Sequence, residues 1–338
     1  MKHGSIIDLF VEEKDVAYVN IAEAGGNVTW LEPDASIELK KLLKMTATTT
    51  GKIGKTLISR WQKFYDMHLS HLSKPILWKS PDGTIFKIKP VLIIKSNEVN
   101  YKYANLEKIP MLVDNFIVFI ASKPKEAMDT SRTSAYDLVN RINNIPKLTN
   151  KNVSFVIRLP DMDKTEREKW HKEIGNLQKI IGKDNVLIDP SKEEFDRMLQ
   201  NKGKDIILIE MTHTDKGILL NNDKRYTSRD VREGSDLSHI KYLISGLGTC
   251  NLPRLEDGRF AASLREKGVG IINASYKEVS SDVALKKLIE LNVILRNLEK
   301  YDLYPYYLID IINQKLGIPE EGTTNLGKIE FHRAYLFG

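Results

Sequence analysis

The chain has 338 residues, 41% of them apolar, a formal charge of +6 and a single cysteine. That length and apolar content are enough for one large domain or two ordinary ones. One cysteine excludes an internal disulfide, and no run approaches the roughly 18 to 20 apolar residues that a membrane-spanning helix needs. The opening stretch MKHGSIIDLFVEEKDV has acidic residues where a secretory signal would have its apolar segment. The expected setting is therefore soluble, reducing and cytoplasmic, with no membrane partner.

Residues 1 to about 110 alternate short strand-like pieces with one amphipathic helix, predicted over Leu57 to Leu72. A hairpin is predicted from Ile76-Leu77-Trp78 through Ser80-Pro81-Asp82-Gly83 to a strand over Ile85–Ile94, with Pro-Asp-Gly supplying the turn. This region, 1–110, reads as a smaller accessory α+β layer. It is also basic: Ser36 to Pro110 holds 14 Lys and Arg against 5 Asp and Glu. The lysines are scattered, which fits a solvated surface, and they also suit an acidic partner or nucleic acid. His68 and His71 lie three apart in the helical stretch, but nothing near them in sequence supplies a third metal ligand.

From about Asn115 the pattern changes to short apolar runs alternating with helical stretches. Phe116–Ile120 precedes a predicted helix over Ser131–Ile142, and Val153–Ile157 precedes one over Lys164–Ile181. Val186–Ile188 leads to Ser191-Lys-Glu-Glu194, a capping-box spacing, and then to the run Asp205–Glu210. Ile240–Ile244 leads to a helix near Glu256–Lys267, and Val269–Ile272 to a last long helix over Ser281–Leu298. Uninterrupted Val/Ile/Leu strands joined by helices imply a doubly wound, mostly parallel α/β sheet with helices on both faces, occupying 111–338. In such sheets the chemistry collects at the carboxyl ends of the strands.

Two of those ends carry reactive side chains. Ile206–Glu210 runs on to His213, and Ile240–Ile244 runs through Ser-Gly-Leu-Gly-Thr to Cys250. If the two strands are parallel neighbours, imidazole and thiol leave the sheet at one edge. That arrangement gives a thiol nucleophile a base within reach and turn N–H groups for a developing oxyanion. The bland reading is that Cys250 is a small buried hydrophobe and His213 a surface side chain. One cysteine without a histidine cluster falls short of a metal site, and no cofactor is expected. His239, just before the Cys250 strand, is expected at the opposite end from the site. Gly246 and Gly248 lack the Gly-Lys-Ser/Thr continuation of a phosphate loop.

The order strand, His213, a loop holding Gly217–Leu220 and Tyr226–Asp230, strand, Cys250, helix, strand resembles the caspase-like peptidases, and within them the CHAT branch related to separases. The family's exposed leucines followed by Thr and Asp opening a helix are matched by Leu219-Leu220 and Thr227–Val231, and its Ala-Ser-aromatic turn by Ala274-Ser275-Tyr276 before Asp282. The motifs span Asp205 to Leu298; upstream to Asn115 only the α/β pattern agrees. The resemblance implies a cysteine endopeptidase with a Cys250–His213 dyad and backbone N–H groups of Cys250 and Thr214 as the oxyanion hole. It also places the substrate pocket near the Cys250 strand end, where Asp215, Glu278 or Asp282 would select a basic residue before the cut. A protein substrate and an activating protein partner follow from the same likeness. Two departures stand out: Thr214 replaces the family's Gly, which restricts the backbone, and Asn251–Leu255 lacks the usual glycine. The alternatives are an inactive caspase-like module whose basic N-terminal region holds a partner or nucleic acid, and an esterase or acyltransferase using the same thiol.

Overall fold

The computed structural model describes residues 6–11, 17–22, 27–30, 33–49, 53–96, 109–122, 145–159, 161–210, 217–245, 259–275, 280–317 and 334–337. Two compact units divide the chain, one formed essentially by residues 2–144 and the other by residues 145–336. The sequence pattern alone predicts a boundary near 110, where the apolar runs change character.

The N-terminal unit opens with β1 (Ile6–Val11), β2 (Ala17–Ala22) and β3 (Asn27–Trp30), paired antiparallel in succession. Two helices follow, α1 (Pro33–Thr48) and α2 (Lys55–His68), where only the second was expected. Leu57, Trp61 and Phe64 recur at helical spacing on the buried face of α2. Leu39, Leu42 and Leu43 of α1 are equally buried. The indole of Trp61 donates to Thr46 Oγ1 at 2.8 Å, and that hydroxyl donates back to the Leu42 carbonyl at 2.7 Å, so both of these buried donors are paired. Arg60 closes the rim on Glu38 at 2.7 Å.

The predicted hairpin forms, but as two four-residue strands, β4 (Ile76–Lys79) and β5 (Ile85–Ile88). The expected long second strand breaks at Lys89-Pro90, because proline has no N–H for a ladder. Beyond the break β6 (Val91–Ser96) joins the other sheet, parallel to β1. After the short helix α3 (Pro110–Val113), β7 (Ile117–Ser122) pairs parallel with β6, so this strand belongs to the N-terminal unit. The helix expected over Ser131–Ile142 lies outside the described residues.

The C-terminal unit is mixed α/β, with a parallel sheet flanked by helices. Its strands are β8 (Val153–Ile157), β9 (Val186–Ile188), β10 (Ile206–Glu210), β13 (Tyr242–Ser245) and β14 (Ile271–Ser275). They lie in the order β9-β8-β10-β13-β14, and all four pairings are parallel. Every residue of β8 is buried, as are Ile206 to Ile209 of β10, which is the signature of strands covered on both faces.

The helix α4 (Lys164–Ile181) falls where its period predicted, with Trp170, Ile174, Leu177 and Ile181 buried. The Asp163 carboxylate accepts from the Glu166 N–H at 2.8 Å and caps it. In α5 (Lys192–Leu199) the predicted capping box is present: Ser191 N–H donates to Glu194 at 2.8 Å, and Glu194 N–H to the Ser191 hydroxyl at 3.2 Å.

Between β10 and β13 stand a two-strand ribbon, β11 (Ile218–Leu219) and β12 (Arg225–Tyr226), and the helix α6 (Ser228–Glu233). The remaining elements are α7 (Arg259–Glu266), α8 (Ser281–Arg296), α9 (Leu298–Tyr301), α10 (Leu308–Lys315) and β15 (Ala334–Phe337). Helix α8 packs along α4, and α6 along α7. The first pair is stapled by the buried Asn292 amide, which donates at 3.0 Å to both the carbonyl and the carboxylate of Glu173. Lys147 meets Asp302 at 2.5 Å, while Leu148 N–H donates to the Leu303 carbonyl at 3.0 Å, tying the start of this unit to the turn after α9.

Candidate functional site: the carboxyl edge of the parallel sheet

The strands that lead to His213 and Cys250 are parallel neighbours. Register pairs Leu208 with Ile244, and from that common level His213 lies five residues further along one chain and Cys250 six along the other. His213, Thr214, Asp215, Cys250 and Glu278 themselves lie outside the described residues, as do the Ser-Gly-Leu-Gly-Thr turn beyond Ser245 and the Asn251–Leu255 segment. What is described is the frame that delivers both segments to one edge of the sheet.

Asp282 is described. It stands exposed in the first turn of α8, directly after the β14 edge. Its neighbour Ser281 donates its hydroxyl to Glu166 in the first turn of α4, which brings the amino ends of these two helices together. A carboxylate there suits the positive end of the helix dipole as well as it suits a cationic ligand.

A network not expected from sequence frames the site on its β10 side. Gly217, the first described residue after the His213 segment, has φ +112°, and a Cβ placed on it would stand 2.5 Å from the Tyr226 carbonyl oxygen. Only glycine meets both conditions. Tyr226 is buried, stacks edge-on against Phe195 with 4.8 Å between centroids, and donates its hydroxyl to Asp196 of α5. Burial, and then the Asp196 carboxylate, raise its phenol well above the ordinary range.

Next in the chain, Thr227 and Asp230 form a reciprocal capping box at the start of α6, the pair that the family likeness had singled out. Lys192, also of α5, reaches Asp230 at 2.5 Å. Burial opposes the charge on Asp230, but the Lys192 ammonium and the Thr227 donors outweigh it and hold the carboxyl below its usual value. The hydrogen bond to Asp230 likewise raises Lys192.

The folded-state pKa of Asp230 is depressed, so its stabilisation is complete above the unfolded carboxylate range and fades as pH falls through and below about 4. Lys192→Ala is therefore expected to lose stability at pH 7 and to show a flatter decline between pH 7 and 3 than wild type in urea titrations. A pH profile parallel to wild type would remove this pair from the balance.

A second polar cluster lies beyond the carboxyl ends of β8 and β9. Arg158 Nη1 donates to Asp189 Oδ1 at 3.1 Å, and the same oxygen accepts Leu159 N–H at 2.9 Å. Asp189, Asn222 and Asp223 all adopt positive φ, a conformation that Asp and Asn tolerate better than other side-chain-bearing residues.

His68 packs on Phe64 at 4.9 Å, and burial followed by the proximity of His71 lowers its pKa. His239 precedes the amino end of β13, at the opposite end of that strand from the segment leading to Cys250. Among the described residues no group of three or more His, Cys, Asp or Glu side chains is arranged to hold a metal ion, and no helix is long and apolar enough to cross a membrane. No protein-family model matches the chain, and no curated protein matches it in sequence.

Proposed function

We propose that the chain is a cysteine endopeptidase of caspase-like type, related to the CHAT and separase branch, with Cys250 as nucleophile and His213 as its proton-transfer partner. The observation that carries the reading is the parallel adjacency of β10 and β13. Neighbouring strands lie about 4.8 Å apart, and five or six further residues span as much as about 20 Å, so chain length leaves both side chains free to meet above one edge. The ribbon and capped helix between these strands, and the strand–helix succession after them, agree with the element order of that family.

The same reading takes the sheet to be doubly wound. The chain leaves β8 for β9 on one side and returns to β10 on the other, so right-handed crossovers put α4 and α5 on opposite faces. The point where the direction reverses is where such folds open a crevice for ligands.

In the proposed reaction the Cys250 thiolate adds to a peptide carbonyl, and the N–H groups of Cys250 and Thr214 hold the oxyanion. As the C–N bond breaks, His213 passes its proton to the departing amine. The acyl group then sits on sulfur until water, deprotonated by His213, attacks the thioester. The acid is released and the thiol regains its proton. Asp282, Glu278 or Asp215 is proposed to favour a basic residue before the cut, and the basic N-terminal unit to meet an activating protein partner.

Because Cys250 is the only cysteine, an iodoacetamide probe reports on it alone. A free thiol with pKa near 8.5 is only a few per cent ionised at pH 7. Labelling of the native protein at pH 7 is expected to exceed that of the unfolded chain, and His213→Ala is expected to slow it about tenfold. Labelling only after unfolding favours a non-catalytic module, whose partner binding would instead weaken with salt.

A further inference from the structure

We propose that the free edge of β4 (Ile76–Lys79) is a docking strand for an extended, acidic segment of a protein partner. The proposal rests on the reading of the basic N-terminal unit as a partner-binding region, and not on the Cys250–His213 dyad. β4 pairs with β5 on one side, and the two form a sheet of their own. Among the described residues no strand pairs with its other side. Ser80 N–H donates to the Thr84 carbonyl at 2.8 Å, and the register carries the same parity to Trp78 with Phe86 and Ile76 with Ile88. Hydrogen-bonded pairs alternate along an antiparallel ladder, so Leu77 and Lys79 are the residues whose backbone N–H and C=O turn outward, away from β5.

The side chains at this edge are apolar although they face water. Ile76 is 44% exposed, Leu77 67% and, across the hairpin, Ile85 64%. On its inner face β5 buries Phe86 and Ile88, whereas Ile76 and Trp78, on the same face of β4, stay partly open, Trp78 with its ring stacked on Phe86 at 5.6 Å between centroids. A strand laid beside β4 would cover Ile76 and Trp78 with the side chains of one face and Leu77 with those of the other. Apolar edges recruit other chains, and natural proteins block them with lysine and proline. Here Lys74 and Pro75 precede β4 and Lys79 ends it, all exposed, while the Ile-Leu-Trp between them is left apolar.

Charge decides which occupant fits. Antiparallel pairing of two copies, with Ile76 of each opposite Leu77 of the other, would set Lys74 of each opposite Lys79 of the other, and parallel pairing in register would set each lysine beside itself. Like charges directly opposite destabilise a strand pair. Acidic side chains in the same places are attracted at both ends of the strand. A nucleic acid is a poorer match, because the most exposed apolar side chains here are aliphatic and single strands are held on aromatic platforms. The edge therefore suits an extended segment with apolar residues at alternate positions and Asp or Glu at the others, its backbone adding to the outward groups of Leu77 and Lys79.

The probe is a fluorescein-labelled peptide of about eight residues in which Val and Glu alternate, with a Val–Lys peptide as its counterpart, both titrated by anisotropy against the full-length protein. Leu77→Pro removes the outward N–H and leaves the ladder to β5 in place, since an edge strand accepts proline where its N–H faces solvent. Lys79→Glu reverses the charge on an exposed side chain. Both variants are expected to keep the wild-type melting temperature. Wild type is expected to bind the Val–Glu peptide, less tightly as salt rises, and not the Val–Lys peptide; each variant is expected to bind at least about tenfold more weakly. Equal binding by Leu77→Pro and wild type overturns the docking edge while the partner reading of this unit stands. No binding of the Val–Glu peptide, or equal binding of the Val–Lys one, overturns both. Dimerisation that Leu77→Pro abolishes would give the edge to a second copy, and binding of a single-stranded oligonucleotide that Lys79→Glu weakens and Leu77→Pro does not would give it to nucleic acid; either result overturns the acidic strand. Binding is read and not cleavage, so failure of the dyad reading leaves the outcome unchanged.

Discussion

Cys250→Ala is expected to abolish cleavage of a fluorogenic peptide library bearing Lys or Arg before the cut, with turnover at least about 10⁴-fold below wild type and an unchanged melting temperature. Loss of a covalent nucleophile has effects of this size because the residues around it act as a unit. On the proposed mechanism, what remains after its removal is substrate binding and the oxyanion stabilisation by the N–H groups. His213→Ala should fall nearly as far, and the double variant little further, because in the proposed dyad the two residues act as a unit. Equal turnover by wild type and Cys250→Ala would assign the cleavage to a contaminant. Hydrolysis of small esters by wild type without any peptide cleavage would move the thiol to esterase or acyltransferase chemistry.

Gly217→Ala is expected to cost about 3 kcal/mol of stability, a large value for one added methyl group. Two penalties combine. A residue with a Cβ pays about 1–2 kcal/mol to adopt left-handed backbone, and at φ +112° it lies outside even the small region such residues visit. The methyl would also stand 2.5 Å from the Tyr226 carbonyl oxygen, a distance real contacts do not reach, so the ribbon must move. Moving it pulls Tyr226 away from Asp196, so the hydrogen bond that ties the ribbon to α5 is lost along with the packing. Urea denaturation is the measurement, and a loss below about 0.5 kcal/mol would mean that the ribbon relaxes freely.

The sequence was most readable where local chemistry and apolar period agree. The strand Val153–Ile157 and the helix Lys164–Ile181 lie where they were predicted, because an unbroken apolar run and a 3.6-residue stripe leave few alternatives. Ser191 and Glu194 announce their cap in four letters. The helix Pro33–Thr48 escaped because it ends in a Thr-rich stretch that argues against helix, and its Leu39, Leu42 and Leu43 face is satisfied only by α2 arriving afterwards.

For the candidate site, sequence order identified which strands lead to His213 and Cys250, while their adjacency is a property of the sheet that no local pattern encodes. The contacts from Tyr226 to Asp196 and from Arg158 to Asp189 span 30 and 31 positions. Nothing within a window of ten residues marks such partners, so they emerge only when the elements pack.

The arrangement of β8 also bears on how the chain is made. Its neighbour β9 follows within one helix, but its other neighbour β10 comes much later: the first register pair joins Val153 to Ile206, about fifty residues apart. A nascent chain therefore leaves the ribosome with this inner strand open along one side until β10 arrives. During that interval Val153–Ile157, apolar but for Ser154, is an unpaired edge of the kind that recruits other chains.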